Sequence, residues 1–150
     1  MVIFFTKVEN SAGWHEIHPS FAMYNLNNMI IHHYLDCQLF TAGDATGIRE
    51  ILHPGRISGV TNRFSLAHAE LPAGKASLPH RLKSAETYYI LEGSGRVWLD
   101  GIDSEVAAGF VVFIPPGTEQ WIQNTGDRIL RFLCMVAPPW TSQEEEILES

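Results

Sequence analysis

Seven histidines, two cysteines and scattered carboxylates are the residues here able to do chemistry, and their spacing separates candidates from bystanders. His15 and His18 stand three apart around Glu16, but no HExxH pattern is present. The surrounding Asn, Ser, Gly and Pro read as loop, so both side chains are expected in solvent. His32 and His33 are adjacent and point in different directions on any regular element, which favours structural or surface roles. Cys37 and Cys134 are far apart and match no metal-ligand spacing. Two cysteines make no disulfide framework, so reduced thiols in a cytoplasmic protein are expected. Two segments remain. GKASLPHRLKSAETYYILEG (residues 74–93) carries His80 and Glu86, and GFVVFIPPGTEQWIQN (residues 109–124) carries Gln120.

The elements that hold these segments read as strands. From Val60 onward, short runs rich in β-branched and aromatic residues are punctuated by Gly, Pro, Asn and Asp every 8 to 15 residues, the pattern of an all-β sandwich or barrel. The runs cover 63–71, 86–91, 95–99, 104–107, 111–114, 120–124 and 129–137. Asp100-Gly101 predicts a type I′ hairpin, and Pro115-Pro116-Gly117 a turn, because Pro fixes φ while Gly tolerates positive φ. Residues 1–28 have no period and read as a loose, irregular extension; a second pattern from Met29 to Gly55 adds strands before the barrel. Ser142 with Glu145 three residues on forms a capping box, which predicts a short helix after Trp140. The expected organisation is an N-terminal extension with added strands at 1–57, a barrel at 58–138 and an acidic tail at 139–150.

Composition narrows the partners. With 150 residues and 45% hydrophobic content the chain supports one domain with a core. Its formal net charge of −7 repels polyphosphate and anionic headgroups, so neither nucleic acid nor membrane is an expected partner. The apolar start at Val2 to Phe5 lacks a basic flank and a cleavage site, and no apolar run approaches the roughly 20 residues that span a bilayer. Neither export nor anchoring is expected.

The Gly, Pro and Glu positions of the two segments resemble the cupin family, whose motifs read G(X)5HXH(X)3,4E(X)6G and G(X)5PXG(X)2H(X)3N. Gly74, His80, Glu86 and Gly93 fall in place in the first, and Gly109, Pro115, Gly117 and Asn124 in the second. Eight of ten specified positions match in register; Leu82 and Gln120 stand where histidines would. The resemblance covers about residues 58–138 and implies a double-stranded β-helix, a jelly-roll barrel with a ligand cavity inside.

In metal-binding cupins the motif histidines and glutamate hold one divalent ion. Carried over, the resemblance implies His80, Glu86 and Gln120 as ligands, with Leu82 unable to coordinate. One imidazole, one carboxylate and one amide suit a borderline to hard divalent ion weakly, and do not distinguish Zn, Fe, Mn and Ni. Without metal, His80 and Glu86 in an apolar cavity could still serve as acid and base, their pKa values moved by burial and mutual charge. Tyr88 shares strand parity with Glu86 and is a candidate pocket hydroxyl. His68 is a candidate second imidazole, although alternation alone leaves open whether Phe64, Leu66 and His68 or Ser65, Ala67 and Ala69 face inward. An inward Arg49, Arg63 or Arg131 would imply an anionic ligand. Trp98, Phe113 and Trp121 suggest apolar outer faces, and since cupins commonly pair barrels, a homodimer is expected. The expected function is a small cupin binding a small polar metabolite as an isomerase- or lyase-type enzyme; the alternative is a non-catalytic binding or sensing cupin.

Overall fold

The computed structural model describes residues 7–10, 13–16, 24–26 and 29–148. Two short ladders come first, β1 (Lys7–Asn10) with β2 (Gly13–Glu16) and β3 (Tyr24–Leu26) with β4 (Met29–Ile31), so the irregular extension contains local strand pairs. His15 lies on β2, and His18 lies outside the described residues. A single 3-10 turn (Tyr34–Asp36) leads into β5 (Leu39–Thr41), β6 (Gly47–Leu52) and β7 (Ser65–Leu71). Then follow β8 (His80–Leu82), β9 (Ala85–Glu92), β10 (Ser94–Leu99), β11 (Ile102–Ala107), β12 (Val111–Ile114), β13 (Gln120–Asn124), β14 (Leu130–Ala137) and β15 (Glu145–Ile147).

These strands form two antiparallel sheets, of order β12-β9-β14-β7-β6-β5 and β11-β10-β13-β8-β15. Side-chain alternation sends one face of each sheet inward. On β14 the inward residues are Leu130, Phe132, Cys134 and Val136; on β9 they are Glu86, Tyr88 and Ile90; on β7 they are Ser65, Ala67, Ala69 and Leu71. The barrel is filled at one end. Leu71, Ile90, Ile114, Ile122, Leu130 and Phe132 are each at most 1% exposed, and each contributes about 1.5–3 kcal/mol through burial. At the other end the inward positions of the same strands are small or polar, and a cavity is left. Among the described residues no helix is long and apolar enough to cross a membrane.

The turns obey the local chemistry of the sequence. Asp100 and Gly101 take φ of 48° and 81°, the two positive values a type I′ turn requires. Gly93 has φ of 86°, and a Cβ there would lie 2.9 Å from the Ile129 carbonyl oxygen, so no side chain fits.

The C-terminal helix expected from the capping box is not formed. One turn closes through Glu144 N–H donating to the Thr141 carbonyl (3.0 Å), and the chain then extends as β15 beside β8. A lone helix of two turns is marginal. The strand instead supplies an edge partner to β8, with Lys83 N–H donating to Glu144 O (2.9 Å) and Leu148 N–H to Pro79 O (2.8 Å). The lateral ladder prevails over the local cap.

Asn124 is the polar staple of the packed end. Fully buried, it donates from Nδ2 to the carbonyls of Leu71 (2.8 Å) and Arg128 (2.7 Å) and accepts from Gly126 N–H (3.0 Å). Asn124→Ala should destabilise the fold by about 2–4 kcal/mol in urea unfolding, since three partners lose their bonds in a dry site. A loss under about 1 kcal/mol would show that water replaces the amide there.

Candidate functional site

The cavity at the open end has a volume of about 80 Å³ and draws its wall from both sheets. Strand parity places Glu86 and Tyr88 on it while Thr87 and Tyr89 turn away, and it brings His80 and Leu82 in while Arg81 points out to Glu119. The β13–β8 ladder sets Gln120 opposite His80. Gln120 donates from Nε2 to Glu86 Oε2 at 2.9 Å, and its Oε1 accepts from the Tyr88 hydroxyl at 3.1 Å. These partners fix the orientation of the amide.

His80 is 3% exposed. Its Nδ1 lies 2.9 Å from the Leu78 carbonyl oxygen, which can only accept, so Nδ1 carries a proton, and Nε2 is the ring nitrogen without a protein partner. Asp44 Oδ2 stands 4.0 Å from the same Nδ1. That carboxylate is held by Thr46, whose N–H and hydroxyl donate to it at 3.0 and 2.7 Å. Burial pushes the Glu86 carboxyl up to about 7; His80 and the Gln120 amide oppose the shift, and Asp44 and Glu145 add to it. Burial also raises Glu145, with Asp44 adding and His80 opposing. The Tyr88 hydroxyl and the Cys134 thiol are raised well above their ordinary values, in each case first by burial and then by Glu86. A cluster results in which Glu86 exchanges a proton near neutrality beside the His80 imidazole.

His80, Glu86, Gln120 and Tyr88 therefore come together. His68 does not join them. It lies on the other face of β7, where its ring meets Tyr34 at 4.6 Å between centroids and its Nδ1 has no hydrogen-bond partner. The inward face of β7 carries Ser65, Ala67 and Ala69 instead, whose small side chains leave room for the cavity. No arginine lines the cavity either. Arg49 donates to the Cys37 carbonyl, Arg63 is exposed, and Arg131 pairs with Glu92. Sequence reasoning missed Asp44, Glu145, Phe40 and Trp140, which also line the cavity. Asp44 sits in a turn whose Asp-Ala-Thr run signals an Asx bond; Glu145 reads locally as a helix cap and shows no other signal.

The donor set does not fit a divalent ion. Leu82, 4% exposed, occupies the second imidazole position; the Gln120 amide is engaged at both ends; one Glu86 oxygen receives Gln120. Among the described residues no group of three or more His, Cys, Asp and Glu side chains is arranged to hold a metal. Facial coordination needs three such donors.

Comparison with known proteins agrees with the barrel. The cupin domain family pattern matches residues 67–136. An uncharacterized protein of Methanocaldococcus jannaschii is 44% identical over 107 residues, 71% of this chain and 84% of that protein. Dimethylsulfoniopropionate lyase of Ruegeria pomeroyi is 43% identical over 54 residues, and the match spans only 36% of its length. The structure of a predicted oxalate decarboxylase from Thermotoga maritima superposes with a TM-score of 0.62 at 24% identity, over 71% of this chain and 96% of that one. The matched region holds the strands that carry both motifs, and on that ground the chain belongs to the cupin superfamily.

Proposed function

We propose that this cupin binds a small polar metabolite inside its barrel and moves a proton on it, as in an isomerisation or a lyase-type elimination. Glu86 is the proton-exchanging group. The observation that carries this is its position: a carboxyl 6% exposed, on the cavity wall, raised to about 7. A group with a pKa near the working pH is the most effective general acid or base. Gln120, itself held by the Tyr88 hydroxyl, donates to its carboxyl group, and the His80 ring faces the same space. No step requires a metal ion. The similarity to a lyase, though it spans a third of that protein, supports elimination chemistry. Free Cys37 and Cys134 support a cytoplasmic setting. Leu82 and Gln120, in places where ligands would stand, favour the second reading, a binding or sensing cupin without turnover.

The two readings part in deuterium oxide. Incubated with a panel of small polar metabolites and a chelator, the wild type should convert one of them or exchange its carbon-bound hydrogen for deuterium by NMR. Glu86→Gln should lose at least about a hundredfold of that rate. A metabolite that raises the melting temperature and undergoes neither change would establish the binding reading instead.

The raised carboxyl also predicts a pH dependence of stability. Between about pH 4.5 and 7 the folded chain keeps a proton on Glu86 that the unfolded chain releases, so stability falls as pH rises. The stabilisation is fully present below about pH 4.5 and is lost above about 7, a loss of about 3 kcal/mol. In denaturant titrations Glu86→Gln should lack this loss, and a variant whose pH profile parallels the wild type would contradict the assigned burial.

We further propose a homodimer. On the outer face of the six-stranded sheet Val111 and Phe113 are each 63% exposed, beside Tyr89, Leu91 and Met135. Trp98 and Trp121 lie on the other sheet, where they stack on each other at 3.6 Å. Sedimentation of the wild type should give twice the chain mass, and Phe113→Glu should shift the distribution to monomer; a wild-type monomer at about 50 μM would end the proposal.

A further inference from the structure

We infer that the cavity selects a small organic cation, an ammonium that carries N–H donors, and rejects carboxylates and phosphates. The inference rests on the small-molecule reading above and names the ligand class for that site. Its basis is the charge of the wall. Asp44, Glu50, Glu86 and Glu145 reach the cavity from four separate segments, and no lysine or arginine does. Glu50 is already paired, at 2.9 Å, with Arg56, which also lies over the Trp140 ring, 5.3 Å from its centroid. A guanidinium resting on a carboxylate and an indole that both line the cavity is this chain's own example of a cation in that setting.

The remaining three carboxyl groups face no lysine or arginine; the one basic side chain among them is His80, whose Nδ1 stands 4.0 Å from Asp44 Oδ2. Among the described residues none donates a hydrogen bond to the Glu145 side chain, and His80, 3% exposed, has no partner for Nε2. Both side chains line the cavity, so the polar atoms of a ligand are what would meet them there. A neutral polyol would supply donors and leave the charge uncompensated. An anion would add like charge in a poorly screened space. An ammonium group supplies both donors and charge, and its alkyl chain suits Phe40, Phe132 and Val136. A volume of about 80 Å³ accommodates on the order of six heavy atoms at roughly 10–15 Å³ each.

Glu145 is the residue that adds specificity. It arrives on β15, outside the region that carries both motifs, and only because β15 pairs with β8 in the register Glu145↔Leu82. Its carboxyl thus faces the cavity beside the apolar position that replaces an imidazole.

n-Butylammonium, butan-1-ol and butanoate are near in size and differ in charge, which makes them suitable probes. Titrated into the full-length protein at about pH 8, above the value near 7 to which Glu86 is raised, they are followed by NMR on cavity residues such as Ala67 and Val136. Butylammonium should bind at least about tenfold more tightly than butan-1-ol, and butanoate should leave these resonances unmoved. In Glu145→Gln the preference for the cation over butan-1-ol should fall about tenfold, with folding checked by unchanged amide resonances of the packed end, such as Asn124 and Leu130. Equal or tighter binding of butan-1-ol or butanoate overturns the cation assignment and leaves the small-molecule reading standing. Retention of the full preference in Glu145→Gln overturns it too. Failure of all three probes to reach the cavity overturns both.

Discussion

The hydrogen bond from Gln120 to Glu86 joins the two sheets across the barrel interior, and the site depends on it. Glu86 belongs to β9 of the six-stranded sheet and Gln120 to β13 of the five-stranded one. A carboxyl inside a barrel is costly in its charged form unless a donor meets it. One amide donor offsets part of that cost and leaves the carboxyl balanced near neutrality rather than fully ionised or fully protonated. A histidine in place of Gln120 could donate only through a ring nitrogen and would bring a titratable charge of its own. The amide stays neutral at every pH and passes the Tyr88 hydroxyl bond on to the same carboxylate, so the titration belongs to Glu86.

How the barrel affords a polar cavity follows from its strands. Along β14, β9 and β7 the inward residues run from Leu130, Ile90 and Leu71 at one end to Val136, Glu86 and Ser65 at the other. The packed half carries the stability, with Asn124 satisfying the backbone where the chain turns. The open half can then hold carboxyl groups that a uniform core would exclude. Phe132 and Tyr88, edge to face at 5.0 Å, mark the boundary between the two.

The barrel was legible because its signals are local. Gly93 answers a positive φ and a close backbone contact, Asp100-Gly101 a turn type, and Pro115 the end of β12; each works through its own few residues. His80, Glu86 and Tyr88 were legible for a similar reason, since strand parity orients every second residue alike. The side of the barrel on which His68 falls was not, because β7 is half-buried on both faces: Ala69 and Leu71 pack inward while His68 is covered from outside by Tyr34. Parity says which residues share a face and is silent on which face is the cavity.

Glu145 shows the limit of local reading most clearly. Ser142 and Glu145 satisfy a helix-capping pattern, and nothing within several residues argues against it. The competing term is some sixty residues away, in β8, three residues long, paired on one side with β13 and dependent on β15 for a partner on the other. Satisfying those backbone groups outweighs one capping bond, and the C-terminus is drawn along the barrel mouth. The same event that completes the sheet delivers a carboxyl to the cavity and surrounds His80 with acidic groups. Here the character of the site is set by strand pairing rather than by its motif residues, which is why a chain that keeps the family's barrel so closely departs from the family's ligand set.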